Sequence, residues 1–305
     1  MPPGRSFKKL RVSLTSSCNF ACVYCAADGK AVFDAHVTPP EKFLAWIKSI
    51  CTAADIRKIR LTGGEPTLYA GLVPLVAALK RDTTAQVYLT TNGHRLPQLA
   101  SQLKDAGLDG VNVSLDAIEP EVFKAMGGRN YAAVIQGIHD AVDAGLSVKI
   151  NTTLMSEMND KEILPLLDFA YSRGIVVRFL ELMAMGHLHK SSGSRTINEE
   201  QILSVIRVRH EVKALGRSAS ETTRHYELDR GQVFGVIANN SAPFCSDCDR
   251  LRLDSHGRVY GCLSNPRGIS LGGQGDIAGI LSAAMALKQN GQFTGSELLM
   301  REVGG

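Results

Sequence analysis

Six of the seven cysteines stand in two trios, Cys18, Cys22 and Cys25 early in the chain and Cys245, Cys248 and Cys262 late in it. Three thiolates with no obvious fourth is the pattern that carries chemistry. A structural zinc ion takes four closed ligands, whereas a 4Fe-4S cluster held by three cysteines leaves one iron open to bind something else. In the first trio the uneven spacing lets one loop wrap a cubane, and Tyr24 puts an aromatic ring beside it. For the second trio a zinc site completed by His256 or by a distant residue stays open, although His256 falls in an expected turn between two short strands. That region also carries Arg250 and Arg252 at alternate positions, which a strand points to one side. Guanidinium forks beside an open iron suit an anionic, phosphorylated ligand. Cys51 lies on the apolar side of an expected helix with Phe43, Trp46, Ile47 and Ile50, so packing is its expected role.

The elements that must position these groups follow from periodicity. Strands are expected over residues 10–15, 58–61, 86–89, 110–115, 147–154 and 176–180, each followed by a helix, over 40–51, 72–79, 96–103, 131–144, 160–171 and 198–206. Six strand-then-helix units imply an α/β fold, an incomplete (β/α)6 TIM-like barrel with a C-terminal Fe-S region. The expected division is residues 1–186 as the partial barrel and 187–305 as a region that completes the barrel mouth and carries the second trio. The polar motifs Thr62-Gly63-Gly64-Glu65-Pro66, Thr90-Thr91-Asn92-Gly93, Ser114-Leu115-Asp116 and Asn151-Thr152-Thr153 each come just after a strand or at its end. Singly each could be turn or cap chemistry; in order behind a cysteine trio they mark the face where parallel barrels place their active sites.

Bulk properties narrow the partners. With 44% hydrophobic and 21% charged residues the chain reads as an ordinary globular protein, and a net charge of +4 suits an anionic small substrate better than nucleic acid. The start has a basic flank without an apolar run behind it, and no stretch could span a membrane, so a cytoplasmic protein is expected. His187, His189, Lys190, residues 191–194 and Arg195 form a polar loop, with the two histidines expected in solvent. Arg207, Arg209, His210, Arg217, Arg224 and Arg230 make a basic stretch, either a solvated face or a phosphate-facing rim.

The first trio resembles the cluster loop of radical S-adenosylmethionine (SAM) enzymes. Taken with the second trio, Arg250-Leu251-Arg252, the segment from Lys58 to Pro66, Val113 to Asp116, Val177 to Glu181 and the terminal Gly304-Gly305, the chain resembles the GTP 3′,8-cyclase family, radical SAM lyases of molybdenum cofactor biosynthesis. The resemblance implies that Cys18, Cys22 and Cys25 hold a 4Fe-4S cluster whose open iron chelates SAM, with Tyr24, Gly64, Ser114, Arg178 and Met183 as SAM contacts. It implies a second 4Fe-4S cluster on Cys245, Cys248 and Cys262 whose free iron binds the guanine base. Arg11, Lys58, Arg60, Thr91, Lys149, Arg250, Leu251 and Arg252 match positions around GTP, and Arg250, Arg252, Gly304 and Gly305 match residues needed for the reaction. In that reaction a 5′-deoxyadenosyl radical takes the 3′ hydrogen of GTP, and the ribose radical attacks C8 of guanine. The implied partners are GTP, an electron donor of flavodoxin or ferredoxin type and a downstream pterin-forming enzyme; a homodimer is allowed, and neither membrane nor nucleic acid is expected. The chain departs from the family pattern at Ser16-Ser17, Ala21 and Ala26-Ala27, and is shorter from Asn265 onward. The alternatives are a radical SAM enzyme acting on another nucleotide or on a peptide, and a non-enzymatic electron-transfer or zinc module.

Overall fold

The computed structural model describes residues 5–190, 195–272, 276–289 and 291–304, so residues 191–194 of the polar loop and Gly305 lie outside the described residues. All six expected units are present: β1 (Lys9–Ser13) and α1 (Pro40–Ala53), β2 (Lys58–Thr62) and α2 (Leu72–Asp82), β3 (Gln86–Thr91) and α3 (Leu96–Asp105). Next come β4 (Gly110–Ser114) with α4 (Pro120–Ala125) and α5 (Tyr131–Asp143), β5 (Ser147–Leu154) with α6 (Ile163–Tyr171), and β6 (Val176–Glu181) with α7 (Glu199–Arg207). The remainder gives β7 (Val212–Gly216), β8 (Arg224–Leu228), β9 (Val233–Ile237), β10 (Arg250–Leu253), β11 (Arg258–Tyr260), β12 (Ile269–Ser270), α8 (Ile277–Ala286) and α9 (Met300–Val303).

Among the described residues the strands form one sheet in the order β12-β11-β10-β1-β2-β3-β4-β5-β6-β9-β8-β7. The parallel array is wider than the six-unit expectation. Strand β10 pairs parallel with β1, and β9 pairs parallel with β6, while β11, β12, β8 and β7 continue the two edges antiparallel. The strands after α7 therefore extend both ends of the six-stranded core, and the sheet remains an open, partial TIM-like barrel.

Alternation along the inner strands does the sorting. In β1, Leu10 and Val12 are fully buried among the helices, as Ile59 and Leu61 are in β2, while Lys9, Arg11, Lys58 and Arg60 take the opposite face. Helix α1 buries Phe43, Ile47 and Ile50, and Cys51 packs half-buried against the same core. Helix α7 is fixed at its start by a reciprocal capping box between Asn198 and Gln201. Strand β7 escaped the sequence reading because it is an edge strand with mostly exposed residues and no buried alternation.

Candidate active site

The first trio is held by backbone packed against backbone. Gly64 N–H donates to Thr15 O at 2.7 Å and Glu65 N–H to Ser17 O at 2.8 Å, joining the loop after β2 to the loop that carries Cys18. A Cβ at Gly64 would overlap the carbonyl oxygens of Ser16 and Ser17, so the approach needs glycine. Glu65, buried, then ties in the third strand: its carboxylate accepts from Thr67 N–H (3.0 Å), Thr67 Oγ1 (2.6 Å), Thr91 Oγ1 (2.6 Å) and Asn92 N–H (2.7 Å). Asn92 Nδ2 in turn donates to Asn19 Oδ1, inside the cysteine loop, at 2.8 Å. Tyr24 donates its hydroxyl to Asp116 Oδ2 at 2.8 Å, and Thr153 N–H reaches Asp116 Oδ1 at 2.9 Å. Burial pushes the Asp116 carboxyl up to about 6 against these two hydrogen bonds. Motifs scattered over four strand ends thus form one hydrogen-bonded frame.

The second trio faces the first across one cavity of about 430 Å³, lined by all six of these cysteines. Tyr24, Gly64, Ser114, Arg178, Met183, Arg11, Lys58, Arg60, Thr91, Lys149, Arg250 and Arg252 line it too. Three expectations are adjusted by the geometry. Leu251 lies fully buried in the hydrophobic core, on the strand face opposite its arginine neighbours, so its side chain does not reach the cavity. Arg252 Nη1 is engaged by the carbonyls of Val303 and Gly304, so part of the fork expected to face a ligand holds the C-terminal segment instead. The Thr91 hydroxyl is committed to Glu65.

The cations stand in rows. Parallel register sets Arg252 beside Arg11 and Arg11 beside Arg60, and one level lower Arg250 beside Lys9 and Lys9 beside Lys58. Neighbouring strands are ~4.8 Å apart, and like charges directly opposite one another destabilise a sheet. Burial, then mutual repulsion, lowers Arg11 and Arg252 well below the usual guanidinium range and brings Arg60 to about 9; burial brings Arg178 to about 10. Lys58 and Lys149 are lowered for the same two reasons. A guanidinium does not give up its proton in a protein, so an anion is what relieves this arrangement. The acidic lining residues among the described ones are Glu181 and Glu221. Glu181 is already engaged, accepting from Asn240 N–H, Ser241 N–H and Glu199 N–H. Arg250 keeps Nη1 buried without a partner, and its guanidinium lies 4.9 Å from the Phe244 ring centroid.

The donor set also bears on the metal. Among the described residues no three His, Cys, Asp or Glu side chains converge as one metal ion needs. A single zinc bonds every sulfur at ~2.3 Å, whereas a cubane presents a different iron to each cysteine. His256 is exposed and stacks on His36 with ring centroids 4.1 Å apart, so it does not complete the second trio. Against the burial that raises it, Arg250 and Lys288 bring the Cys248 thiol down to about 6, ready to ligate as thiolate. Residues present therefore fit two iron-sulfur clusters facing an anion site.

Two segments match family models, "Radical SAM superfamily" over residues 12–170 and "Molybdenum Cofactor Synthesis C" over 175–290. A GTP 3′,8-cyclase of Staphylococcus carnosus is 37% identical over 272 residues, 85% of this chain and 79% of that protein. One of Campylobacter fetus is 37% identical over 88% of this chain and 84% of its own length. The chain belongs to the GTP 3′,8-cyclase family of radical SAM proteins. Among solved structures, Streptococcus suis SuiB bound to S-adenosylmethionine superposes with a TM-score of 0.65 at 15% identity, over 90% of this chain and 65% of that one. This last likeness shows the fold.

Family membership does not draw attention to several residues that the geometry brings in. Lys9 sits in the cation rows, and Arg5 donates to Cys248 O at 2.9 Å and Cys245 O at 2.5 Å. Lys288 and His225 line the cavity. Lys9 was within reach of sequence reasoning, two residues before Arg11 on one strand. The others come from segments with no motif. His187 is exposed, as expected, while His189 packs under Gly295 with Nδ1 buried and unpartnered. The basic stretch is mostly a paired, solvated face, with Arg207 on Glu200, Arg209 on Asp168 and Arg224 on Glu199.

Proposed function

We propose that this chain converts GTP to 3′,8-cyclo-7,8-dihydro-GTP for molybdenum cofactor biosynthesis, using SAM and two 4Fe-4S clusters held by Cys18, Cys22 and Cys25 and by Cys245, Cys248 and Cys262. The observation that carries the reading is the pair of in-register cation rows lying in one cavity with both trios. Lys9 is already paired with Asp249 at 3.2 Å, and a triphosphate supplies the negative charges that Arg11, Arg60 and Arg250 lack. Bound at the first trio, cluster and SAM supply a 5′-deoxyadenosyl radical for abstraction of the ribose 3′ hydrogen.

The chain's own residues bind, orient and seal. Arg11, Lys58, Arg60 and Lys149 hold the phosphates, with Arg250 presenting an unpartnered guanidinium edge beside the second trio. Tyr24, Gly64, Ser114, Arg178 and Met183 surround SAM, and Gly304, held by Arg252, borders the site from the C-terminal end. Holding both reactants at fixed distance in a water-poor cavity supplies the positional part of catalysis. The same reading divides the chain into residues 1–186 as the barrel core and 187–305 as the part carrying the second cluster. It includes an electron donor of flavodoxin or ferredoxin type, a downstream pterin-forming enzyme, a cytoplasmic location and room for a homodimer. No helix among the described residues is long and apolar enough to cross a membrane.

The test is anaerobic. Reconstituted protein is analysed for iron, sulfide and zinc, then incubated with SAM, dithionite and each nucleoside triphosphate separately. About eight iron per chain and turnover of GTP alone are expected. Zinc without sulfide, or turnover of a different triphosphate, would overturn the reading.

A further inference from the structure

Lys288 reaches the second trio from a segment that contributes no cysteine. Its Nζ lies 3.3 Å from Cys248 Sγ and 5.3 Å from the Phe7 ring centroid, and the side chain lines the cavity. No carboxylate among the described residues is within ion-pair distance of it, so the ammonium is matched by sulfur. The placement is built into the fold. A Cβ at Gly261, next to Cys262, would overlap the carbonyl of Ala284, so the end of α8 rests directly on the trio's backbone. Lys288 follows two residues after that helix ends, and Lys288 N–H donates to Met285 O at 3.1 Å. Arg5 independently braces the carbonyls of Cys245 and Cys248.

We propose that Lys288 is a positioning residue for the second cluster, its ammonium donating to Cys248 Sγ and stabilising the cluster's reduced state. This rests on the reading that the second trio holds a cluster. Reduction adds one negative charge, and a cation hydrogen-bonded to a ligand sulfur stabilises that form more than the oxidised one; hydrogen bonds to sulfur are a recognised lever on cluster potential. Lys288 thereby makes the second cluster easier to reduce than its three thiolates alone would, and leaves the first cluster untouched.

Lys288→Met keeps length and removes charge, and Lys288→Arg keeps charge. Both are reconstituted anaerobically with the wild type, counted for iron and sulfide, and titrated potentiometrically with each cluster followed by its EPR signal. The expected result for Lys288→Met is a second-cluster midpoint displaced to lower potential, so that the oxidised-to-reduced ratio at fixed poise rises about tenfold, ~59 mV for a one-electron couple. The first cluster should not move, and Lys288→Arg should recover most of the shift. Loss of the second cluster in Lys288→Met with retention in Lys288→Arg would also support a charge role. An unmoved second midpoint, equal movement of both clusters, or loss of the second cluster in both variants would overturn the inference. Iron for a single cluster in the wild type would instead overturn the two-cluster reading and this inference with it.

Discussion

Arg250 and Arg252 occupy alternate positions of one strand and line one cavity, yet the structure gives them different work. Arg250 presents a buried Nη1 without a partner, whereas Arg252 Nη1 donates to the carbonyls of Val303 and Gly304. Arg250→Ala should therefore act on ligand binding. A charge-assisted hydrogen bond contributes roughly 1.5 to 3 kcal/mol, and about 1.4 kcal/mol is one decade, so GTP affinity should fall by about one to two decades. Arg252→Ala should act first on the C-terminal segment. Besides Arg252, α9 is held to the barrel by Ser13 Oγ, which donates to Arg301 O at 3.1 Å. A comparable loss of about 1.5 to 3 kcal/mol should speed amide exchange at Val303 and Gly304 by about one to two decades. Calorimetric GTP titration and hydrogen exchange of both variants, with clusters intact, separate the effects. Fast exchange at the C-terminus of Arg250→Ala together with protected amides in Arg252→Ala would refute the division.

The remaining predictions take the site piece by piece. Cys22→Ala should abolish reductive formation of 5′-deoxyadenosine, since no neighbouring side chain replaces the thiolate; undiminished product would remove the first cluster assignment. Cys262→Ala should leave slow SAM cleavage while GTP cyclisation fails, and normal cyclisation would refute a substrate role for the second trio. Gly64→Ala should cost roughly 1–3 kcal/mol in overpacking and weaken SAM binding, because the new methyl meets Ser17 O; an unchanged melting temperature and SAM affinity would count against the packed loop. In cluster-free protein Cys248 should alkylate with a midpoint near pH 6 while Cys18 and Cys51, raised by burial to about 11, stay protonated at neutral pH. The sign follows from linkage: a folded value below the ordinary 9.0 adds stability above that value and loses it as pH falls through about 6.

What was legible in the sequence was local. The six units could be read because apolar runs such as Val111 and Val113, or Ile59 and Leu61, alternate or repeat at fixed periods. The trios and the alternation of Arg250 with Arg252 were legible for the same reason. What spacing does not encode is which strand lies beside which. The pairing of β10 with β1 joins residues some way beyond any periodicity window, and it creates the row of Arg252, Arg11 and Arg60. Lys288 and Arg5 were silent because a single cation in a motif-free segment looks like any solvated residue until the fold brings it to sulfur. Leu251 shows the converse. Its neighbours in sequence face the cavity, and strand alternation alone sends it into the core.

The tail and the cation rows answer the same electrostatic demand. Cross-strand pairs of like charge disfavour the sheet, and burial removes the water that would screen them. In this structure Arg252 meets part of that demand through the carbonyl oxygens of Val303 and Gly304, whose partial negative charge lies against its guanidinium. Gly304 can sit there because a Cβ would overlap the Thr62 side chain, and its φ of 79° lies where glycine is favoured. Arg250, Arg11 and Arg60 are left for an external anion, since none of them has a carboxylate within ion-pair distance among the described residues. The C-terminal segment is thus fastened by a member of the same row that, on the proposed function, receives the phosphates. A substitution that weakens one should therefore be felt by the other, even where the two do not touch.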